Sequence, residues 1–367
     1  MNFDPYKIKS MKICIVTVYN SINCGSYLQA TTLRDFFKEK GHEVSFLNTG
    51  ARGKKSEIVF SVFKRLLTGQ FKLAFNLVKS ILNFKKYHHS LKTCTNSELD
   101  ISTQDLIVLG SDEIWNISRV KAFARFPIFW GIGIEHDNIM SYAPSMNNTS
   151  LDQLNNYPYA KEGISKIKYL SVRDKHTKEM IKAISNREGT IVVDPTMLFT
   201  ADHYNKIKGT CPFFDFILVY SFGGHMTKED KKKIKEVAVM LNKKLVFFGR
   251  HESWVDISVP ADPYDFLAYF EQADFIFTDT FHGTIFSLLF NKNFISFGEK
   301  KKKVVELLSY FDLDERIIKG STDIDELIFN EIDYSIINPK IKTLRQKSYA
   351  FLSHVLSEVQ EQKMRKM

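Results

Sequence analysis

Residues 273–290, ADFIFTDTFHGTIFSLLF, hold the side chains best suited to proton transfer. His282 is the candidate acid or base, because an ordinary imidazole pKa of about 6.5 makes both protonation states accessible near neutrality. Asp279 stands three positions before it, and Thr280 and Gly283 flank it. A His beside a helix start also serves simply as a cap or packing residue, and both readings stay open on spacing alone. Asp112 and Glu113, in LGSDEIWN at 109–116, can bind hydroxyls or take a proton. Arg173, in SVRD at 171–174, can hold a carboxylate or phosphate through two parallel N–H bonds, or form a structural ion pair with an acid such as Asp174. Gly25 and Ser26 fall just before a helical pattern, where unpaired backbone N–H groups favour an anion. Their spacing matches neither a dinucleotide fingerprint nor a phosphate-cradling lysine loop.

These side chains need a scaffold that brings distant loops together, and the apolar patterning supplies one. A strand with continuous apolar character is expected at 11–18 and further strands at 44–47 and 105–110; 139–145 and 169–173 each read as a short strand followed by polar residues, and 191–196 closes the series, with Asp194-Pro195 leaving the strand. A second series is expected at 213–221, 244–248, 275–277 and 294–297. Helical patterns fall between them, at 27–40 closing on Gly41, and at 56–67, 71–84, 227–241, 263–270, 284–290, 304–310 and 338–363. The segment 278–283 is read as loop. Gly223-Gly224-His225 and Gly249-Arg250-His251 follow two strands of the second series. The alternation implies an α/β fold of two Rossmann-like domains facing across a cleft, with ligands outside the carboxyl ends of the strands. The expected units are residues 11–205, 212–337, and a helix with a basic tail at 338–367.

A chain of 367 residues with 44% apolar and 25% charged residues is of soluble globular type and long enough for two domains. Cys14, Cys24, Cys94 and Cys211 are scattered without metal-type pairing, and no ligand cluster has metal spacing. Neither a secretory signal nor a membrane-length apolar run is read, so the expectation is a cytoplasmic protein. The net charge of +9 is uneven. Between 51 and 90 lie Arg52, Lys54, Lys55, Lys64, Arg65, Lys72, Lys79, Lys85 and Lys86 against Glu57 alone. This basic insertion, at about 53–90, reads either as a solvated hairpin or as an amphipathic surface resting on anionic membrane at the inner face. Further basic runs lie at 300–303 and in Lys363, Arg365 and Lys366. No nucleic-acid-binding signature accompanies them, and a nucleic-acid partner is not expected.

The order and spacing of NCGSYLQ at 23–29, LGSDEIWN at 109–116, SYAPS at 141–145, SVRD at 171–174, VDPT at 193–196 and TDTFHGTIFS at 278–287 resemble the polysaccharide pyruvyl transferase family. The resemblance runs from Met11 to about Ile318. It implies a fold similar to glycosyltransferase type B. The implied reaction moves the pyruvyl group of phosphoenolpyruvate onto two hydroxyls of a cell-surface polysaccharide or its lipid-linked precursor, forming a cyclic ketal and releasing phosphate. Phosphoenolpyruvate is then a co-substrate, with no further cofactor, and an essential family His maps onto His282. Two positions depart from the pattern: Thr280 where some relatives have Arg, and Glu113 where Gln is common. The donor anion must therefore be held elsewhere, with Arg173, Arg250 or a lysine of 300–303 as candidates.

The reaction needs a proton on the methylene carbon, a base for the hydroxyl, and cations for a donor of charge near minus three. His282 serves as acid or base, Asp112 or Asp279 as its partner, and Arg173 with the Gly25–Ser26 helix start as anion holder. Ser111, Thr280 and Gly283 are further expected contacts. The same cleft would suit a glycosyltransferase using a nucleotide sugar, and a non-catalytic binder of anionic sugars is the alternative from another class.

Overall fold

The computed structural model describes residues 10–49, 55–118, 126–222, 226–318 and 324–365. Gly223-Gly224-His225, Arg52, Lys54 and Lys366 lie outside the described residues. Strands β1 (Lys12–Val16), β2 (Glu43–Leu47), β3 (Thr93–Cys94), β4 (Leu106–Leu109) and β5 (Ile139–Ser141) form a parallel sheet in the order β3-β2-β1-β4-β5. Strands β6 (Ser171–Val172) and β7 (Thr190–Ile191) pair separately. Strands β8 (Phe216–Tyr220), β9 (Lys244–Gly249), β10 (Ile257–Pro260), β11 (Phe275–Thr278) and β12 (Phe294–Ser296) form a second parallel sheet, ordered β10-β9-β8-β11-β12. Both sheets are of the doubly wound kind that the strand–helix alternation implied.

The continuous apolar runs follow from burial on both faces. In β1, Ile13 and Ile15 join one core while Cys14 and Val16 join another, as a period of two requires. The first core also takes in Phe216, Tyr220, Phe266 and Phe286 of the second half, so one apolar layer joins the two sheets. The second lies on the far face of the first sheet, around Trp115 and Trp130, and the third on the far face of the second, around Phe247 and Phe277.

Eight helices frame the site and its flanks: α1 (Cys24–Glu39), α2 (Lys55–Leu67), α3 (Phe71–His88), α4 (Lys175–Ser185), α5 (Pro263–Gln272), α6 (Phe281–Leu289), α7 (Lys302–Tyr310) and α8 (Tyr334–Arg365). The chain crosses between the sheets twice. The first crossing follows the helix Ala201–Ile207, where the Gly209 N–H donates to Tyr264 O at 2.8 Å. The second is α8, which returns to the first half. There Arg345 Nε donates to Met197 O at 2.8 Å, Tyr169 Oη to Glu358 at 2.9 Å, and Lys363 pairs with Asp105 at 2.8 Å.

Several boundaries differ from the sequence reading. Helix α1 begins at Cys24 rather than 27, because Asn23 caps it by accepting from the Ser26 N–H at 3.1 Å. Helix α6 begins at Phe281, so His282 and Gly283 belong to its first turn and not to a loop. Helix α8 begins at Tyr334 and carries Pro339 inside it, whereas the apolar pattern places its start beside that proline. Strands β3 and β10 have no counterpart in the sequence reading. Both are edge strands, and β10 is only half-buried along its length, so neither shows a clean apolar pattern. Cys14 and Cys94 are brought together across the sheet, with their sulfurs 3.0 Å apart, although 80 residues separate them.

Candidate functional site

Two helix starts meet at the junction of the halves. Gly25, in the first turn of α1, lies so close to His282, in the first turn of α6, that an added Cβ would sit 2.2 Å from His282 Nδ1. Only glycine allows that approach. The start of α6 is fixed by Thr280, whose hydroxyl accepts from the Gly283 N–H at 2.8 Å and exchanges a hydrogen bond with Thr278 at 3.0 Å. A side chain at Gly283 would meet both hydroxyls. Thr280 and Gly283, expected as substrate contacts, are thus spent on the cap that orients His282.

The partner acid of His282 is Asp194. Its Oδ2 lies 3.6 Å from His282 Nε2 and accepts from Arg173 Nη1 at 2.9 Å. His282 Nε2 is buried without a hydrogen bond, at ion-pair rather than hydrogen-bond distance from this carboxylate. Asp194 is held by its own loop, where Thr196 donates to Oδ1 through N–H at 3.1 Å and hydroxyl at 2.8 Å. Burial opposes ionisation of Asp194, but His282, Arg173 and Thr196 outweigh it and keep the carboxyl well below the usual range. Sequence reasoning placed Asp194 at a strand exit and gave it no role. The available signal was an Asp followed by Pro and Thr, a self-capping turn that locks a carboxylate at a strand end.

The expected partners of His282 do other things. Asp279 is fully buried and accepts from Ser221 Oγ at 2.7 Å and the Phe222 N–H at 3.3 Å, with Lys301 Nζ 3.8 Å away. It fixes the loop after β8 and anchors Lys301, which corrects its assignment as orienter of His282. Asp112 accepts from Ser26 Oγ at 2.7 Å and stands 3.9 Å from Arg173 Nη1, the same guanidinium nitrogen that donates to Asp194. Its φ of 73° is a left-handed conformation uncommon outside glycine, which turns the carboxylate toward α1. Ser111 is fully buried; its hydroxyl accepts from the Asp112 N–H and its carbonyl from Thr17 Oγ1. Ser111 therefore shapes the turn from within.

Arg173 is the cation the structure places at the centre. Its guanidinium lies 4.4 Å from the Phe281 ring centroid, and its buried Nε and Nη2 have no hydrogen-bond partner. Burial weakens its charge, but Asp194, Asp112 and Asp174 restore it. Lys303 stands 5.0 Å from the same ring and pairs with Glu113 of the first half. Burial disfavours the Glu113 carboxylate, yet Lys303 and Asn116 hold its pKa below the usual range. The 300–303 run is thus divided: Lys301 faces Asp279 and Lys303 faces Glu113. Arg250 is not in this group. It pairs with Glu252 at 2.7 Å and lies over Phe247.

Arg173, Asp194, Phe281 and Lys303 line a cavity of about 480 Å³ between the halves, closed on its apolar side by Val193, Met197, Leu307 and Leu344. A larger hollow of about 1080 Å³, near Trp254, shares no residue with it. Among the described residues no His, Cys, Asp and Glu side chains gather in a group that could hold a metal ion. No helix among them is long and apolar enough to cross a membrane. The arrangement is an imidazole on a buried carboxylate, beside two helix N-termini and a guanidinium with free donors. It can deliver or accept a proton next to a bound anion.

A profile of the family described as polysaccharide pyruvyl transferase matches residues 23–301, the span from the α1 cap to Lys301. No curated protein matches the chain. Among solved structures, a UDP-N-acetylglucosamine 2-epimerase from Listeria monocytogenes superposes with TM-score 0.50 at 10% identity, covering 93% of this chain and 94% of that one. An α-glucosyltransferase solved with UDP and DNA superposes with TM-score 0.49 at 12% identity, covering 94% and 95%. At 10% identity the likeness to the epimerase concerns the fold alone, two Rossmann-like halves of the glycosyltransferase B kind.

Proposed function

The chain belongs to the polysaccharide pyruvyl transferase family and is a transferase; from that premise we propose that it moves the pyruvyl group of phosphoenolpyruvate onto a glycan diol at the His282–Asp194–Arg173 group. The observation that carries this reading is Arg173. It is buried on Asp194, yet keeps two donors unpaired beside the cavity. A carboxylate or phosphate of the donor satisfies them bidentately, with Lys303 as second cation. His282 protonates the methylene carbon of the enol phosphate as one acceptor hydroxyl adds to the neighbouring carbon, and then takes the proton of the second hydroxyl. The donor C–O bond breaks and phosphate leaves. Of the two hydroxyl protons, one ends in the new methyl group and the other on phosphate. Asp194 stabilises the imidazolium that gives the first proton and is re-formed by the second, and the α1 and α6 N-termini face the negative charge that develops.

The acceptor in this reading is a polysaccharide or its lipid-linked precursor. The test pairs ligand binding with turnover. Phosphoenolpyruvate at about a hundred times its dissociation constant should add roughly 2.7 kcal/mol and raise the melting temperature by several degrees. His282→Asn should keep that shift and lose phosphate release in the presence of acceptor. Stabilisation by a nucleotide sugar but not by phosphoenolpyruvate would favour glycosyl transfer. Binding of anionic sugars with no turnover by the unaltered protein would favour the non-catalytic binder.

A further inference from the structure

Helices α2 and α3 form a hairpin whose outer face is apolar and bare. On α3, Phe71, Phe75, Val78 and Leu82 are all exposed, Phe75 by 70%. At 3.6 residues per turn they fall within an arc of about 60°. Asn76, Ser80 and Phe84 are buried and fall on the opposite side, which packs on the protein. On α2, Phe60, Phe63 and Leu67 extend the exposed surface. Lys72 and Lys85 flank the α3 stripe on its two sides. From 58 to 97 there are seven Lys or Arg and no Asp or Glu.

We infer that this hairpin docks on the surface of an anionic lipid bilayer. The apolar stripe would enter the headgroup–acyl boundary while the flanking cations meet lipid phosphates. A second copy of the chain fits worse. A self-complementary interface would bring two such acid-free cationic segments against each other, and like charges would oppose it.

The root of the hairpin ties this surface to the site. Ser80 Oγ accepts from the Ala261 N–H at 2.9 Å, Asn83 Nδ2 donates to Ala261 O at 3.2 Å, and Tyr87 Oη donates to Asp262 at 3.1 Å. Asp262 caps α5 in the second half. Tyr27 of α1, two residues from Gly25 and one from Ser26, packs on Phe84 and Tyr87. The docked helix therefore touches both halves next to the turn that faces His282. An acceptor carried in the same bilayer would be presented at the mouth of the cleft. The docking itself rests on the surface and is read without turnover, so it stands or falls separately from pyruvyl transfer.

The experiment is flotation of the full chain with phosphatidylcholine vesicles, with and without phosphatidylglycerol. Binding is expected with phosphatidylglycerol and weakens as salt is raised. Lys72→Glu with Lys85→Glu should lower the partition coefficient by about thirtyfold or more, at about a fivefold loss for each cation removed. Phe71→Asp with Leu82→Asp, both at exposed positions, should abolish binding while circular dichroism stays unchanged. Absence of binding by the unaltered protein would overturn the inference, as would undiminished binding of the Phe71→Asp, Leu82→Asp variant. A dimer in light scattering that this variant dissolves would assign the face to a second copy instead.

Discussion

Gly25→Ala is the sharpest test of the two-helix junction. The added methyl would sit 2.2 Å from His282 Nδ1, 2.4 Å from Cγ and 2.8 Å from Cβ. Swinging the ring away relieves the first two contacts. The third persists, because His282 Cβ is fixed to the backbone of α6. Reaching a carbon–carbon contact of about 3.5 Å requires α1 and α6 to separate by roughly 0.7 Å or more. These helices belong to different halves, so the whole cleft shifts. A displacement near 1 Å at reacting groups can cost about a hundredfold in rate, or roughly 2.7 kcal/mol. The backbone at Gly25 is helical and accepts alanine, which favours a helix by about 0.5–1 kcal/mol over glycine. The expected result is a fall of about a hundredfold in phosphoenolpyruvate-dependent phosphate release, with a melting temperature within a few degrees of the unaltered protein. Full turnover by the variant would refute the reasoning, since the clash would then have been absorbed without moving His282.

Asp194→Asn leaves the Arg173 charge buried without its main partner. Breaking such a pair costs about 3–5 kcal/mol, so calorimetry should show a drop of about four to six degrees, together with loss of phosphate release. Acid should act through the same carboxylates. The folded pKa values of Asp194 and Glu113 lie below their unfolded values. The stability they contribute is complete above the unfolded carboxylate range near 4 and is lost as pH falls through that range toward the folded values. Urea midpoints should therefore decline below about pH 5. Glu113→Gln should decline less steeply over that interval, and an unchanged slope would show that Glu113 carries no linkage.

The parallel sheets were legible because doubly buried strands leave unbroken apolar runs, as in residues 106–109 and 275–277. The position of His282 near a strand end followed from the same logic. Its place inside a helix did not, because that start depends on the Thr280 hydroxyl choosing the Gly283 N–H. The acid partner was misassigned for a related reason. Asp279 is near His282 in sequence, but the turn directs it to Ser221. Asp194 lies 88 positions away and meets the imidazole only once the halves pack. Gly25 was read as an anion-binding helix start, whereas its contact with His282 depends on tertiary approach. Arg250 follows a strand end as Arg173 does, but Glu252, two residues on, claims it.

The two crossings of the chain determine how the cleft can open. Two covalent links fix two points shared by the halves, so the large relative motion left to them is rotation about the line joining those points. Beyond the shared apolar layer and the root of the α2–α3 hairpin, three polar contacts resist this rotation: Lys303 with Glu113, Asn148 with the Lys300 carbonyl, and the Lys175 N–H with Glu306. All three fasten the segment 300–306 to the first half, which makes it the latch of a door hung on α8. An anion that drew Lys303 away from Glu113 would loosen that latch and change the cleft angle.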